Sequence, residues 1–444
     1  MSGARARVAA LGAVYSDPAA LRALQEERFA AQLDRLRTRH PRYREMLQGA
    51  EVASLDDFAR IAPTGKSDLA SDPEAYRLDA ADPSDILWDI AYTSGSTSAP
   101  TPIFQTARDF RAILTAQLHM AAIRGMSADD RIANLFPLTT QPHGAWTRAN
   151  HAAAALGCEL VVGLGGAAAD DYPVTRRTTE IVRMLERTQP TVLWGVPSYL
   201  ARILEAARSA DVPLTGIRMF AASGEACPPA LQAQLTQLAA EVGSPDAVVS
   251  NSFGASELQC GLVECVPGTG FHNPAPDQFF FETIDDDGAP TSDGEPGRLA
   301  LTHLDRRGTA FLRYVLGDVV EYTIEPCPEC GWAGGRVVAH HRREGSMVKV
   351  RGNLFDVTVL GAAVGAVDGV REHQAVVRTA SDGMDELVLR VVETADGALD
   401  ADAVQRAVRA AIRVTPRVER VALFDIHGAT GSLKPRRFVD ERSS

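Results

Sequence analysis

The chain has 444 residues, 45% of them hydrophobic, and a net charge of -12. Its mean hydropathy of -0.09 is that of a soluble globular protein long enough for two or more domains. The acidic balance disfavours a nucleic-acid or anionic-membrane partner, and no apolar run approaches membrane-spanning length.

The opening "MSGARARVAALGAVYSD" has too short and interrupted an apolar run for a signal peptide, so a cytoplasmic location is expected. Residues 17–50 read as charged helix. In "SLDDFARIAPTGKSDLA", Ser54 and Asp56 are candidate caps. "DILWDIAY" is apolar and aromatic, and reads as a buried strand. "TPIFQT" is a second short strand. "ARDFRAILTAQLHMAAIRGM" spaces Phe110, Ile113, Leu114 and Leu118 as a helix does, with Gly125 placed to stop it.

Between the two strands lies "AYTSGSTSAPT", with Ser or Thr at five of the six positions Thr93 to Ser98. Backbone N–H groups and small hydroxyls can converge on an anion there, and Gly95 lets a ligand approach the main chain. Polyphosphate binding and an ordinary Ser/Thr loop both fit locally. A Walker-type loop does not, because no Gly-Lys-Ser/Thr is present and no helix follows directly.

From residue 85 to about 320, short apolar runs alternate with helical stretches. The runs include "RIANLFPL", "CELVVGLG", "TVLWGVPS", "GIRMFAASGE" and "DAVVSNSFG"; "TRRTTEIVRMLERTQ" and "SYLARILEAARSA" lie between. Such alternation predicts an α/β domain with a largely parallel sheet. Ligands gather at the carboxyl ends of such strands. There "AYTSG", "FAASGE" and "SNSFGASE" end in small polar residues. "DDDGAPTSDGEPG" is an acidic hairpin loop. The tail changes character near Arg343: a hairpin "SMVKVRGNLFDV", two strands, the helix "DADAVQRAVRAAIRV" and "VERVALFDI" make a small α+β unit. Domains at 1–342 and 343–444 are expected.

The order of motifs resembles the adenylate-forming superfamily, and within it the phenylacetate–coenzyme A ligase family, over almost the full length. "HPRYREML" with "SLDDFARIAPTGKSDL" is similar to that family's amino-terminal segment. "YTSGSTSAPT" resembles its phosphate loop, "FAASGEA" and "SFGASE" its adenine-side motifs, "YVLGD" its ribose motif, "RREGSMVKVRGNLF" its hinge and "GSLKPRRF" its terminal lysine motif.

The resemblance implies a fold: a large multi-sheet adenylation domain with a small mobile carboxy-terminal lid. It also implies a reaction. A carboxylate attacks the α-phosphate of ATP, pyrophosphate leaves, and the acyl group passes to coenzyme A. The nucleophile is already ionised, so catalysis rests on positioning and cationic stabilisation. Carried over residue by residue, Thr93, Ser94, Gly95, Ser96 and Thr97 hold the β- and γ-phosphates. Glu257 ligates Mg²⁺. Gly224, Glu225 and Ala226 line one side of the adenine; Asn251, Ser252, Phe253, Gly254 and Ser256 form the strand end opposite, with Phe253 stacking. Asp318 takes both ribose hydroxyls, Arg343 reaches the ribose, and Lys434 meets the α-phosphate. Lys349 serves the second half-reaction.

Candidate acid-lining residues are His143, Gly144, Trp146, Ala222, Ser223 and Ser252, a set that suits a flat aryl or arylacetic acid. A carrier-protein thiol or an amine is the alternative acceptor, and a homodimer is left open. The chain departs from the family at Ser98 and Ala99, where Gly and Lys are usual, at Phe253 for Tyr, and at Gly345 for Asp or Lys. A degenerate nucleotide-binding regulator is the alternative of another class, against which Glu257, Asp318, Arg343 and Lys434 are all present.

Six cysteines spread unevenly do not make a disulfide scaffold. Cys327 and Cys330 in "CPECGW" have zinc-knuckle spacing. With Cys265 and His272 of "ECVPGTGFH", matched by metal-bearing relatives, they are expected to hold a structural Zn²⁺. Cys260 is the runner-up ligand, and Cys158 and Cys227 are expected core thiols.

Overall fold

The computed structural model describes residues 3–80, 85–93, 100–138, 144–166, 175–380, 384–394, 397, 399–427 and 437–442. Four helices open it: α1 (Gly3–Ala9), α2 (Pro18–Arg39), α3 (Pro41–Met46) and α4 (Lys66–Ser71). Asp17 starts α2 by accepting from Ala19 N and Ala20 N at 2.9 and 3.1 Å, with Pro18 in the first turn. Ser54 stands at the N-cap position, but the element is a short 3₁₀ turn: the Ser54 hydroxyl donates to Asp57 at 3.1 Å, and Asp57 rather than Asp56 accepts from Ser54 N at 3.0 Å. Asp56 is drawn away to Arg22, 2.6 Å distant.

Strands β1 (Leu87–Tyr92) and β2 (Pro102–Thr106) form a separate antiparallel pair. The expected buried strand is therefore half-open, with Trp88 57% exposed. It joins no larger sheet among the described residues, so one face stays uncovered. Thr106 and Asp109 cap each other at the start of α5 (Ala107–Arg124), and Gly125 ends it at φ +84°, a conformation that favours glycine.

The main sheet alternates as expected through β3 (Arg131–Asn134), α6 (Gly144–Leu156), β4 (Glu159–Val162), α7 (Thr178–Thr188), β5 (Val192–Gly195), α8 (Pro197–Ser209), β6 (Met219–Ala222), α9 (Pro229–Glu241) and β7 (Val248–Gly254). It continues antiparallel through β8 (Gly261–Val263), β9 (Phe271–His272), β10 (Phe279–Ile284), β11 (Pro296–His303), β12 (Tyr314–Thr323) and β13 (Arg336–Arg343). Spatial order is β10-β11-β12-β13-β9-β8-β7-β6-β5-β3-β4, with β3 to β7 parallel. Travel across the sheet reverses after β4. Right-handed crossovers then put α6 on one face and α7, α8 and α9 on the other, and α5 packs against α6.

The tail holds β14 (Met347–Val350), β15 (Asn353–Asp356), α10 (Val357–Gly365), β16 (Val370–Thr379), β17 (Asp385–Glu393), α11 (Ala401–Ile412), β18 (Arg417–Arg420), α12 (Leu423–His427) and β19 (Phe438–Asp440). Its own apolar core runs from Val348 to Phe438 and takes in no residue from the main sheet. Among the described residues no helix is long and apolar enough to cross a membrane.

Candidate active site and metal centre

The carboxyl ends of β6 and β7 bring the expected adenine-side residues together. Ser223 N continues the β5–β6 ladder by donating to Gly195 O at 3.1 Å, and Gly224 then turns the chain at φ +94°. Glu225 accepts from Ser198 N at the start of α8, 2.7 Å away, and pairs with Arg437 at 3.4 Å. Ala226 is exposed. At the end of β7, Asn251 N donates to Glu264 at 2.9 Å and Ser252 N to Asn251 Oδ1 at 3.0 Å. Gly254 approaches the Ser223 hydroxyl: a Cβ there would lie 3.8 Å from it. Phe253 packs at 5.9 Å from the His340 ring and 6.3 Å from Phe271. Ser256, in the turn beyond, accepts at its carbonyl from the Gln259 amide.

Glu257 is 3% exposed and accepts from the Tyr314 hydroxyl at 3.3 Å. Burial, then that carboxylate, push the Tyr314 phenol far above its ordinary range, so it stays a donor. Across β12, Asp318 pairs in register with Arg343. Its Oδ1 lies 3.0 Å from His340 Nε2, which fixes the carboxylate while leaving Oδ2 free of that bond.

Sequence reasoning did not single out Lys66, at the start of α4 in "TGKSDL". A Cβ at Gly317 would lie 3.7 Å from its Nζ. Its pKa is lowered by desolvation and then by Arg343, against the fields of Glu257, Asp318 and Glu344. The ammonium therefore stands among Glu257, Asp318, Arg343 and Glu344. The signal was weak: a lysine opening a short helix reads as an ordinary solvated residue.

At the neck of the hydroxyl-rich loop, Thr93 N bonds Thr101 O and Thr101 N bonds Thr93 Oγ1, both at 3.0 Å. Ser94, Gly95, Ser96, Thr97, His143 and Lys434 lie outside the described residues. Gly144 opens α6, and Trp146, two residues on, is half-buried. Ala222 is buried at the end of β6. Lys349 is exposed on β14, its carbonyl accepting from Arg442 at 2.7 Å.

Cys265, His272, Cys327 and Cys330 are all buried, with ligand atoms all within 4.8 Å of one another. His272 Nδ1 faces the carbonyls of Val263 and Gly270 at 3.0 and 3.1 Å. Carbonyls only accept, so Nδ1 carries the proton and Nε2 points to the sulfurs, 3.5 Å from Cys330. Cys265 and Cys327 stand 3.9 Å apart. Hydrogen bonding with Cys265 pulls Cys327 far below the usual thiol range and pushes Cys330 far above it. Three adjacent thiols cannot all ionise without a cation. The donor set, its burial and its fixed tautomer fit a tetrahedral Zn²⁺. Cys260 is outside this group; burial raises its pKa to about 12.

Phe253 and Glu257 at and just beyond the end of β7, with Asp318 on β12, sit on an α/β sheet of the kind expected for an adenylate-forming enzyme. A model of the AMP-binding enzyme family matches residues 4–303, and the chain belongs to that family. It is similar to the phenylacetate–coenzyme A ligase of Thermus thermophilus, 28% identical over 380 residues, 84% of this chain and 81% of that protein. It is 26% identical to the phenylacetate–coenzyme A ligase of Escherichia coli over 313 residues, 67% of this chain and 66% of that protein. Its fold matches a 2-hydroxyisobutyryl-CoA ligase crystallised in the postadenylation state. The TM-score is 0.77 at 23% identity, over 96% of this chain and 90% of that one.

Proposed function

We propose that the protein activates an aryl or arylacetic acid with Mg·ATP as the acyl-adenylate and transfers the acyl group to coenzyme A. The observation that carries this reading is the meeting of Glu257, Asp318, Arg343 and Lys66 around Gly317, within a family that binds AMP.

Glu257 would supply a hard oxygen ligand to Mg²⁺, and Asp318, steadied by His340, would take the ribose. Lys66 would provide the cation that Ala99 withholds from the phosphate loop. Lys434 would neutralise charge developing at the α-phosphate. Arg437 pairs with Glu225 at 3.4 Å, a contact between the tail and the proposed nucleotide site. Residues 343–444 form the mobile unit, hinged at Gly345, whose φ of +77° suits glycine. The four-residue Cys/His cluster holds structural Zn²⁺. Turnover with all three substrates tests the whole: ATP, coenzyme A and a panel of aryl acids should give AMP and an acyl thioester in equal amounts. AMP formed with a carrier-protein thiol or an amine, and not with coenzyme A, would move the acceptor and leave adenylation standing.

A further inference from the structure

Arg124 ends α5 and is 3% exposed. Its Nη2 donates to the Ser252 hydroxyl, and its guanidinium carbon lies 5.5 Å from the centre of the Trp194 ring. Nε and Nη1 have no hydrogen-bond partner among the described residues, so three of the five N–H donors are unused. The carboxylate whose field reaches it, Glu264, is occupied elsewhere, accepting from Asn251 N at 2.9 Å and Gly268 N at 2.8 Å. Burial brings the Arg124 pKa to about 10, which still leaves it charged at neutral pH. Arg313 shows what a structural buried arginine looks like here: it grips both Glu282 oxygens and the carbonyls of Ile61 and Gly288.

The face that Arg124 meets follows from register. Asn134 pairs with Trp194, Trp194 with Ala221, and Ala221 with Ser250, so these side chains share one side of the pleat. Ser252, two residues on, shares it too. Asn134 Nδ2 reaches Trp146 O on α6 at 2.8 Å. This is therefore the face under α5 and α6, where the acid-lining residues Trp146 and Ser252 lie. Ser250 Oγ and Trp146 Nε1 also lack hydrogen-bond partners among the described residues. A cation with a free planar fork, on the same covered sheet face as the small Ala221 and the unpartnered Ser250 hydroxyl, fits a carboxylate better than a hydrocarbon edge.

We infer that the acid bears a second carboxylate, and that Arg124 receives it while the reacting carboxylate faces the nucleotide. This rests on the adenylation reading above and names the substrate class of that same pocket.

The test is acid-dependent pyrophosphate exchange by the full chain, comparing each parent acid with its hydroxy and carboxy derivatives: benzoate with the benzene dicarboxylates, phenylacetate with the carboxyphenylacetates. A dicarboxylate should exceed its parent in kcat/KM by on the order of 10²-fold, as a site built for a polar group discriminates. Arg124→Met should cut that ratio by at least ~30-fold, and Arg124→Lys should restore part of it. ATP binding by each variant checks that it is folded. Parent or hydroxy acids preferred by the wild-type protein, or a ratio unmoved in Arg124→Met, would overturn the inference and leave adenylation intact. If no acid supports exchange, the adenylation reading fails. Arg124-dependent thermal stabilisation by a benzene dicarboxylate would then still support this site, and its absence would sink it.

Discussion

A reaction between two anions needs individual cations placed to meet them. Lys66 should matter although no motif marks it. Lys66→Ala should lower kcat/KM for ATP in pyrophosphate exchange by roughly 10–10²-fold, as for loss of one preorganised charge. Because its pKa is lowered, Lys66 loses its charge at a lower pH than free lysine. The alkaline limb of the exchange profile should therefore fall early in the wild type and move to higher pH in Lys66→Arg. An unchanged limb would remove Lys66 from the site. Glu257 and Asp318 could be singled out in the sequence because "SFGASE" and "YVLGD" resemble family motifs; Glu257 lies in the turn after β7 and Asp318 within β12. Lys66 and Arg124 could not. One opens a short helix and the other closes a long one, a position where a cation already suits the helix dipole. Only packing against Gly317 and Ser252 gives them another meaning.

The metal centre belongs to the element scale. His272 on β9 pairs in register with Arg336 on β13, and Trp332, just past the paired cysteines, stacks on Tyr15 at 5.0 Å. A zinc there would pin β13, the strand that carries His340 and Arg343. Elemental analysis should find about one zinc per chain. Cys327→Ser should lower the melting temperature more than it raises the KM for ATP. The thiolates must stay deprotonated, so metal should be released as pH falls. One zinc per chain in a protein lacking all four residues would refute the assignment. The C-x-x-C spacing was visible in the sequence; its partners, 62 and 58 positions away from Cys327 and Cys330, came from family likeness. The expectation for β1 failed for a related reason: an apolar run shows that a segment can be covered, not which layer covers it.

On the scale of the whole molecule, the tail has its own core but touches the larger body through charge. Arg371 meets Glu205 at 2.6 Å and Arg437 meets Glu225 at 3.4 Å. Contacts of this kind are weak enough to be remade during a rotation. Lys349 lies exposed on β14, and in the proposed rotation it would enter the site when the tail turns. Lys349→Ala should slow coenzyme A-dependent AMP release by more than it slows exchange; equal losses would argue against the rotation. The expected tail boundary rests on the change of character of the sequence near Arg343. The pairs between the two bodies were not legible, since each joins residues far apart in the sequence.

The central claim is adenylation itself, and acid-dependent ATP–pyrophosphate exchange without coenzyme A tests it most directly. The wild-type protein should exchange label with a suitable aryl acid, and Lys434→Ala should lose on the order of 10²-fold or more while still binding ATP. Exchange that needs no acid, or that survives the loss of Lys434 unchanged, would contradict the account.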